Sequence, residues 1–124
     1  MANFQNIVGK RLGQAEITTS FKTVYTAPVD ARAYIKDIDI CNTTGSAITV
    51  CICLVPYTST NTVGTAGTAN ALMYNASIPA NSTVQWTGSQ IINGPVAGTN
   101  AGDTVQVKAS ATGCTVTISG GEAV

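Results

Sequence analysis

Asp37 and Asp39 are the residues of this chain whose type and spacing most suggest chemistry. Two apart on an expected strand, their carboxylates leave the same face about 6–7 Å apart. That separation would suit a glycosidase pair or an oxygen-ligated cation such as calcium. Two Asp residues on the solvent face of a strand give the same pattern with no chemistry. Glu16, Asp30, Asp103 and Glu122 are isolated carboxylates, and Asp103, following Gly102, reads first as turn chemistry. Histidine is absent. The commonest general base, the usual activator of a Ser or Cys nucleophile and the most versatile metal ligand are therefore missing. Cys41, Cys51, Cys53 and Cys114 have no catalytic partner. Cys51 and Cys53 point the same way from one strand and cannot easily bridge each other. A C-x-C pair with two remote cysteines is poor zinc spacing, so we read four thiols, mostly half-buried small hydrophobes. We assign no catalytic or metal-binding residue, expect no cofactor and do not expect an enzyme. Among the aromatics, Trp86 and Tyr74 could stack on sugar rings, although a lone Trp also reads as core or interface.

The elements that must position these residues are short and β-rich. The chain of 124 residues is dominated by Thr, Val, Ile and turn formers, with no helix-period segment. Residues 1–14 read as an N-terminal arm in which Phe4, Ile7, Val8 and Leu12 are apolar and Gly9 and Gly13 permit bending. Residues 15–120 read as a single-domain antiparallel β-sandwich or jelly roll of about eight strands. Residues 121–124 read as a flexible tail. The first strands fall near Ala15–Thr19 and Phe21–Thr26. Arg32–Asn42 and Ala47–Pro56, joined by Thr43-Thr44-Gly45-Ser46, read as the clearest hairpin. Ile38, Ile40, Ile48, Val50, Ile52 and Leu54 make one apolar face, while Asp37, Asp39, Cys41, Cys51 and Cys53 make the other, either wet or an interface. Later strands fall at Ala69–Ile78, Thr83–Trp86, a short Gln90–Ile92, Thr104–Ser110 and Cys114–Ser119. Two long loops, Thr58–Thr68 and Asn93–Gly102, are expected at a common end of the sandwich.

Charge is distributed unevenly. From Ile40 to Gly102, just over half the chain, there is no Asp, Glu, Lys, Arg or His. Charges are depleted from the centres of protein interfaces, where desolvating an ion is costly. A neutral, Thr-rich half therefore suggests a building block packed against copies of itself or a larger shell. Six basic and six acidic residues give zero net charge, which argues against nucleic acid as a partner. No apolar run approaches a membrane span, and MANFQNIVGKRLG has no apolar signal region, so we expect neither a membrane partner nor secretion.

Three segments carry a resemblance: TVYTAPVDARAYIKDIDICNTTGSAITVCICLVP, ALMYNASIPANSTVQWTG and AGDTVQVKASATGCTVTISG. Their Tyr-Thr-Ala-Pro opening, Ile-Cys-Asn-Thr strand end, Leu-Val-Pro ending, Ile-Pro-Ala-Asn turn and closing Ala-Gly-Asp-Thr run resemble a class of small tailed-phage virion proteins. The resemblance spans Thr23–Gly120. It implies a capsid decoration (cement) subunit, often a homotrimeric jelly roll, or a head-fibre, neck or tail accessory protein, and it brings no catalytic residues. We therefore expect a virion structural protein on the capsid surface, made in the host cytoplasm, whose partners are itself and the major capsid protein. The arm (Phe4, Ile7, Val8, Leu12) and the loops (Tyr57, Asn61, Val63, Pro95, Val96) are the expected capsid or subunit contacts. The alternative is a virion-exterior tail, neck or head-fibre module that binds host-surface glycan through Trp86 and Tyr74. A hydrolase using Asp37 and Asp39 is a third reading.

Overall fold

A computed structural model describes residues 7–57, 63–95 and 102–123. Eight strands run β1 (Ile7–Glu16), β2 (Lys22–Thr26), β3 (Arg32–Asn42), β4 (Ile48–Val55), β5 (Ala71–Ile78), β6 (Thr83–Asn93), β7 (Thr104–Ala109) and β8 (Cys114–Ala123). They form two antiparallel sheets, sheet A in the order β1-β8-β3-β6 and sheet B in the order β2-β7-β4-β5. Every connection between successive strands crosses from one sheet to the other except β4–β5. This is the winding of a jelly roll, the fold class expected from the alternating pattern.

The core lies between the sheets because strand residues of one parity are apolar. Ile35, Ile38 and Ile40 of β3, Val50 and Ile52 of β4, Val105 and Val107 of β7, and Val116 and Ile118 of β8 are fully buried. Each such side chain contributes about 1.5–3 kcal/mol relative to an exposed one. Leu54, expected with them, is half-buried and packs against this core.

The structure corrects four expectations. Strands β3 and β4 are not a hairpin: β3 pairs with β6 and β8, and β4 pairs with β5 and β7. Two strands facing each other across a core show the same inward parity as two neighbours in one sheet, so alternation could not separate these cases. The crossing is fixed by Asn42, whose amide is buried. Its Nδ2 donates to the carbonyls of Ser46 (2.8 Å) and Ile78 (3.0 Å), and its Oδ1 accepts from the Thr44 N–H (2.9 Å) and hydroxyl (2.7 Å).

The arm is also different. Residues 7–14 belong to β1, which pairs along its length with β8 and forms an edge of sheet A. A register irregularity against β8 falls between Arg11 and Gly13, and Gly13 also serves close packing, since a Cβ there would lie 2.8 Å from Val24. Residues 121–123 of the expected tail are the end of β8, held between β1 and β3. The Glu122 carboxylate accepts from Lys10 Nζ (3.1 Å) and from the Tyr25 hydroxyl (2.5 Å), which joins β1, β8 and β2. Those two donors hold the Glu122 carboxyl below its ordinary range, the tyrosine bond contributing most. Burial, then the carboxylate, pushes the Tyr25 phenol well above its usual value. Finally, Thr83–Trp86 and Gln90–Ile92 are one strand, β6, with a register irregularity against β3 between Ile35 and Asp37.

Candidate assembly surface

The two ends of the sandwich are built differently. At one end the strands are joined by short Ser-, Thr-, Asn- and Gly-rich turns around residues 17–21, 43–47, 79–82 and 110–113. These turns are tied to one another: the Thr43 N–H and hydroxyl both donate to the Gly113 carbonyl, and the Asn81 N–H donates to the Thr44 carbonyl. Asn81 and Gly113 both have positive φ (54° and 119°), a conformation that Asn and Gly tolerate.

At the opposite end the described parts of the β2–β3, β4–β5 and β6–β7 connections meet. Asp103 organises them. Its Oδ2 accepts from the Asn93 N–H (3.0 Å) and its Oδ1 from the Tyr57 N–H (3.4 Å), while its backbone carbonyl accepts from the Ala27 N–H. The sequence signal at Gly102-Asp103 was turn chemistry, and here it clasps three connections. The ends of β1 and β8 arrive at the same place, with Ile7 beside Ala123 and Arg32 on its other side.

Exposed apolar side chains follow this polarity. Ile7, Val8, Val29, Tyr57, Val63 and Ile91 lie on or beside the loop end, and Ile7 and Ile91 are 62% and 54% exposed. Tyr34 lies between β8 and Ile91 on the outer side of sheet A. Gly121 lies under the Ile7 side chain, where a Cβ would approach Ile7 Cγ2 to 2.8 Å. The result is an apolar strip running from β1 across β8 and β3 to β6. Among the described residues, no large apolar side chain is exposed on the short-turn end.

The two flanks differ as well. Edges β1 and β2 carry Lys10, Arg11, Glu16 and Lys22, the kind of charge that discourages edge-to-edge pairing. The opposite edges, β5 and β6, carry no charge, so the uncharged half of the sequence is gathered on one side of the molecule. Arg32, Lys36 and Asp37 reach β6 from the neighbouring strand, through Asn93, Ser89 and Gln85.

The expected contact residues separate into groups. Ile7, Val8, Tyr57 and Val63 are exposed at the loop end, whereas Phe4, Asn61 and Val96 lie outside the described residues. Leu12 is half-buried against the core, because β1 turns it inward beneath sheet A. Pro95 is buried and its carbonyl accepts from the Asp30 N–H, a structural role. Val29 and Ile91 were not anticipated; the only signal for Ile91 is its opposite parity to buried Ile92. Trp86 is half-buried, not fully exposed. It packs against the core and covers Gly88, where a Cβ would lie 2.9 Å from the indole. Tyr74 is 60% exposed, on β5 in the other sheet.

Asp37 and Asp39 do lie together on the outer side of sheet A. Asp37 accepts from Gln85 Nε2 at 2.9 Å. Asp39 is raised above the ordinary range by desolvation and then by the Asp37 charge. Their cross-strand neighbours are Thr87, Gln85, Ser119 and Thr117, none of them a general base. No group of three or more Cys, Asp or Glu among the described residues could hold a metal ion. No family model, curated protein or solved structure matches the chain.

Proposed function

We propose that this protein is a virion structural subunit of the capsid decoration type, which seats its loop end on the major capsid protein of a tailed-phage head. The observation that carries the proposal is the polarity of the jelly roll. One end is closed by short polar turns, and the other collects, among the described residues, all but one of the strongly exposed large apolar side chains. A concentration of exposed apolar side chains at one pole is the mark of an interaction surface. The resemblance of Thr23–Gly120 to small phage virion proteins supports the same role.

Self-association is assigned to the uncharged β5/β6 flank. Two unguarded edges on one side suit packing around a symmetry axis, and a homotrimer would set three loop ends in one plane. Each copy then needs only a modest contact with the shell, because linked copies bind with a high effective concentration. The protein would act by adding buried area across capsomer seams.

Light scattering of the purified protein, combined with co-sedimentation on capsids emptied of their own decoration, tests this reading. A trimer that pellets with the capsids is expected. A monomer at high concentration that stays in the supernatant would overturn it.

A further inference from the structure

A separate feature sits on the outer side of sheet B. Segment 63–70 folds over the part of that sheet nearest the loop end. There Gln106 Nε2 donates to the Gly64 carbonyl (3.4 Å) and the Cys53 thiol to the Gly67 carbonyl (3.6 Å). This cover buries Cys53 and Gln106, which would otherwise face solvent. The remainder of the sheet is left as an open groove of about 280 Å³ lined by Thr19, Thr49, Cys51, Asn75, Lys108 and Ser110.

The groove is polar and its donors are set in place by the fold. Lys108 and Cys51 are cross-strand neighbours on β7 and β4. The Lys108 ammonium sits 5.0 Å from the centre of the Phe21 ring, a contact that steadies the cation without neutralising it. Asn75 has a left-handed backbone (φ 48°) and is gripped by Cys51: the thiol donates to Asn75 Oδ1 (3.3 Å), and the Asn75 N–H donates to the sulfur (3.4 Å). That grip occupies the amide oxygen and leaves Nδ2 without a hydrogen bond among the described residues, as are the Thr19 and Thr49 hydroxyls. Ser110 Oγ already accepts from the Thr49 N–H (3.1 Å). No Asp or Glu lines the groove. One fixed positive charge beside an amide donor and two hydroxyls matches a single negative charge borne on a hydroxylated ring, and the volume holds about one such ring.

We infer that this groove binds a carboxylate-bearing sugar residue, with Lys108 and Asn75 Nδ2 on the carboxylate and Thr19 and Thr49 on ring hydroxyls. The site lies in the other sheet from Trp86, and Thr19, Thr49 and Ser110 place it nearer the short polar turns than the apolar loop end, so seating the loop end on a shell would not cover it.

The test is a ¹⁵N–¹H titration of the whole protein with glucuronate, with glucose and acetate as separate probes. Saturable shifts at residues 49, 51, 75 and 108 with glucuronate are expected, with each control probe at least about tenfold weaker. Lys108→Gln should weaken glucuronate binding about ten- to a hundredfold, the effect of one charge-assisted hydrogen bond. Asn75→Gly, which accepts the left-handed backbone, removes the amide together with its bond from the Cys51 thiol and should also weaken binding. Absence of saturable shifts in the groove, or unchanged affinity in both variants, overturns the inference. Equal binding of acetate overturns the sugar assignment, and equal binding of glucose overturns the carboxylate assignment.

Discussion

Replacing Asn42 with Ala should be among the most damaging single changes to this protein that touch no apolar side chain. Asn42 is 1% exposed and makes four hydrogen bonds that join the end of β3, the 43–46 crossing and the end of β5. Each contributes about 1 kcal/mol net, and the Ile78 carbonyl, at a fully buried residue, is left without its amide donor. The sum is about 4 kcal/mol, a large share of the 5–15 kcal/mol that holds a domain of this size folded. With a urea slope of about 2 kcal/mol/M, the unfolding midpoint should fall by about 2 M. Equilibrium urea unfolding at fixed protein concentration measures it. Asn42→Asp keeps the shape but turns an acceptor toward the Ser46 and Ile78 carbonyls. It should be at least as damaging at neutral pH. Burial raises the pKa of such a carboxyl, so part of the loss should return as pH falls and a protonated oxygen can donate. A loss below about 1 kcal/mol in Asn42→Ala would refute the reasoning, because that is the cost expected of an exposed turn residue.

Two further predictions concern the chain ends and the apolar strip. Glu122 has a lowered folded-state pKa, so its contribution is present above its ordinary value of 4.5 and is lost as pH falls through the folded value. The wild-type urea midpoint should therefore drop more steeply below pH 4.5 than that of Glu122→Gln, and Tyr25→Phe should cost about 1–2 kcal/mol at neutral pH; parallel pH profiles would contradict the Lys10–Glu122–Tyr25 link. Ile91→Lys combined with Ile7→Lys should abolish capsid co-sedimentation while shifting Tm by only a few degrees, since both side chains are more than half exposed; retained co-sedimentation would remove the loop end as the docking surface.

Much of the fold was legible because the jelly roll writes its core in parity. The alternation of Ile48, Val50 and Ile52, or of Val116 and Ile118, is visible in the chain and is the core in the structure. Parity carries no information about which strand lies beside which, and that is why β3 and β4 were paired wrongly. The N-terminal segment was misread for a related reason: IVGKRLGQAE has two glycines and poor alternation, and it becomes a strand only because β8 offers it an edge. Cys51 and Cys53 looked like a wet or interfacial face, but the cover of one by segment 63–70 depends on a loop path that no local pattern encodes. The charge-free stretch, plain in the sequence, maps to β4, β5 and β6 as a unit. The groove was not legible, since its seven residues come from positions 19, 49, 51, 75 and 108–110.

The position of β8 between β1 and β3 has a consequence in time. It comes after the other seven strands in the chain, yet sheet A has only its β3–β6 pair until β8 arrives. The first strand must wait for the last across nearly the whole length of the chain, a pairing of high sequence separation that slows folding. A nascent or truncated chain therefore cannot close the core. The apolar strip, which needs β1, β8, β3 and β6 side by side, comes into existence only once β8 is in place, so a chain without β8 does not form that surface.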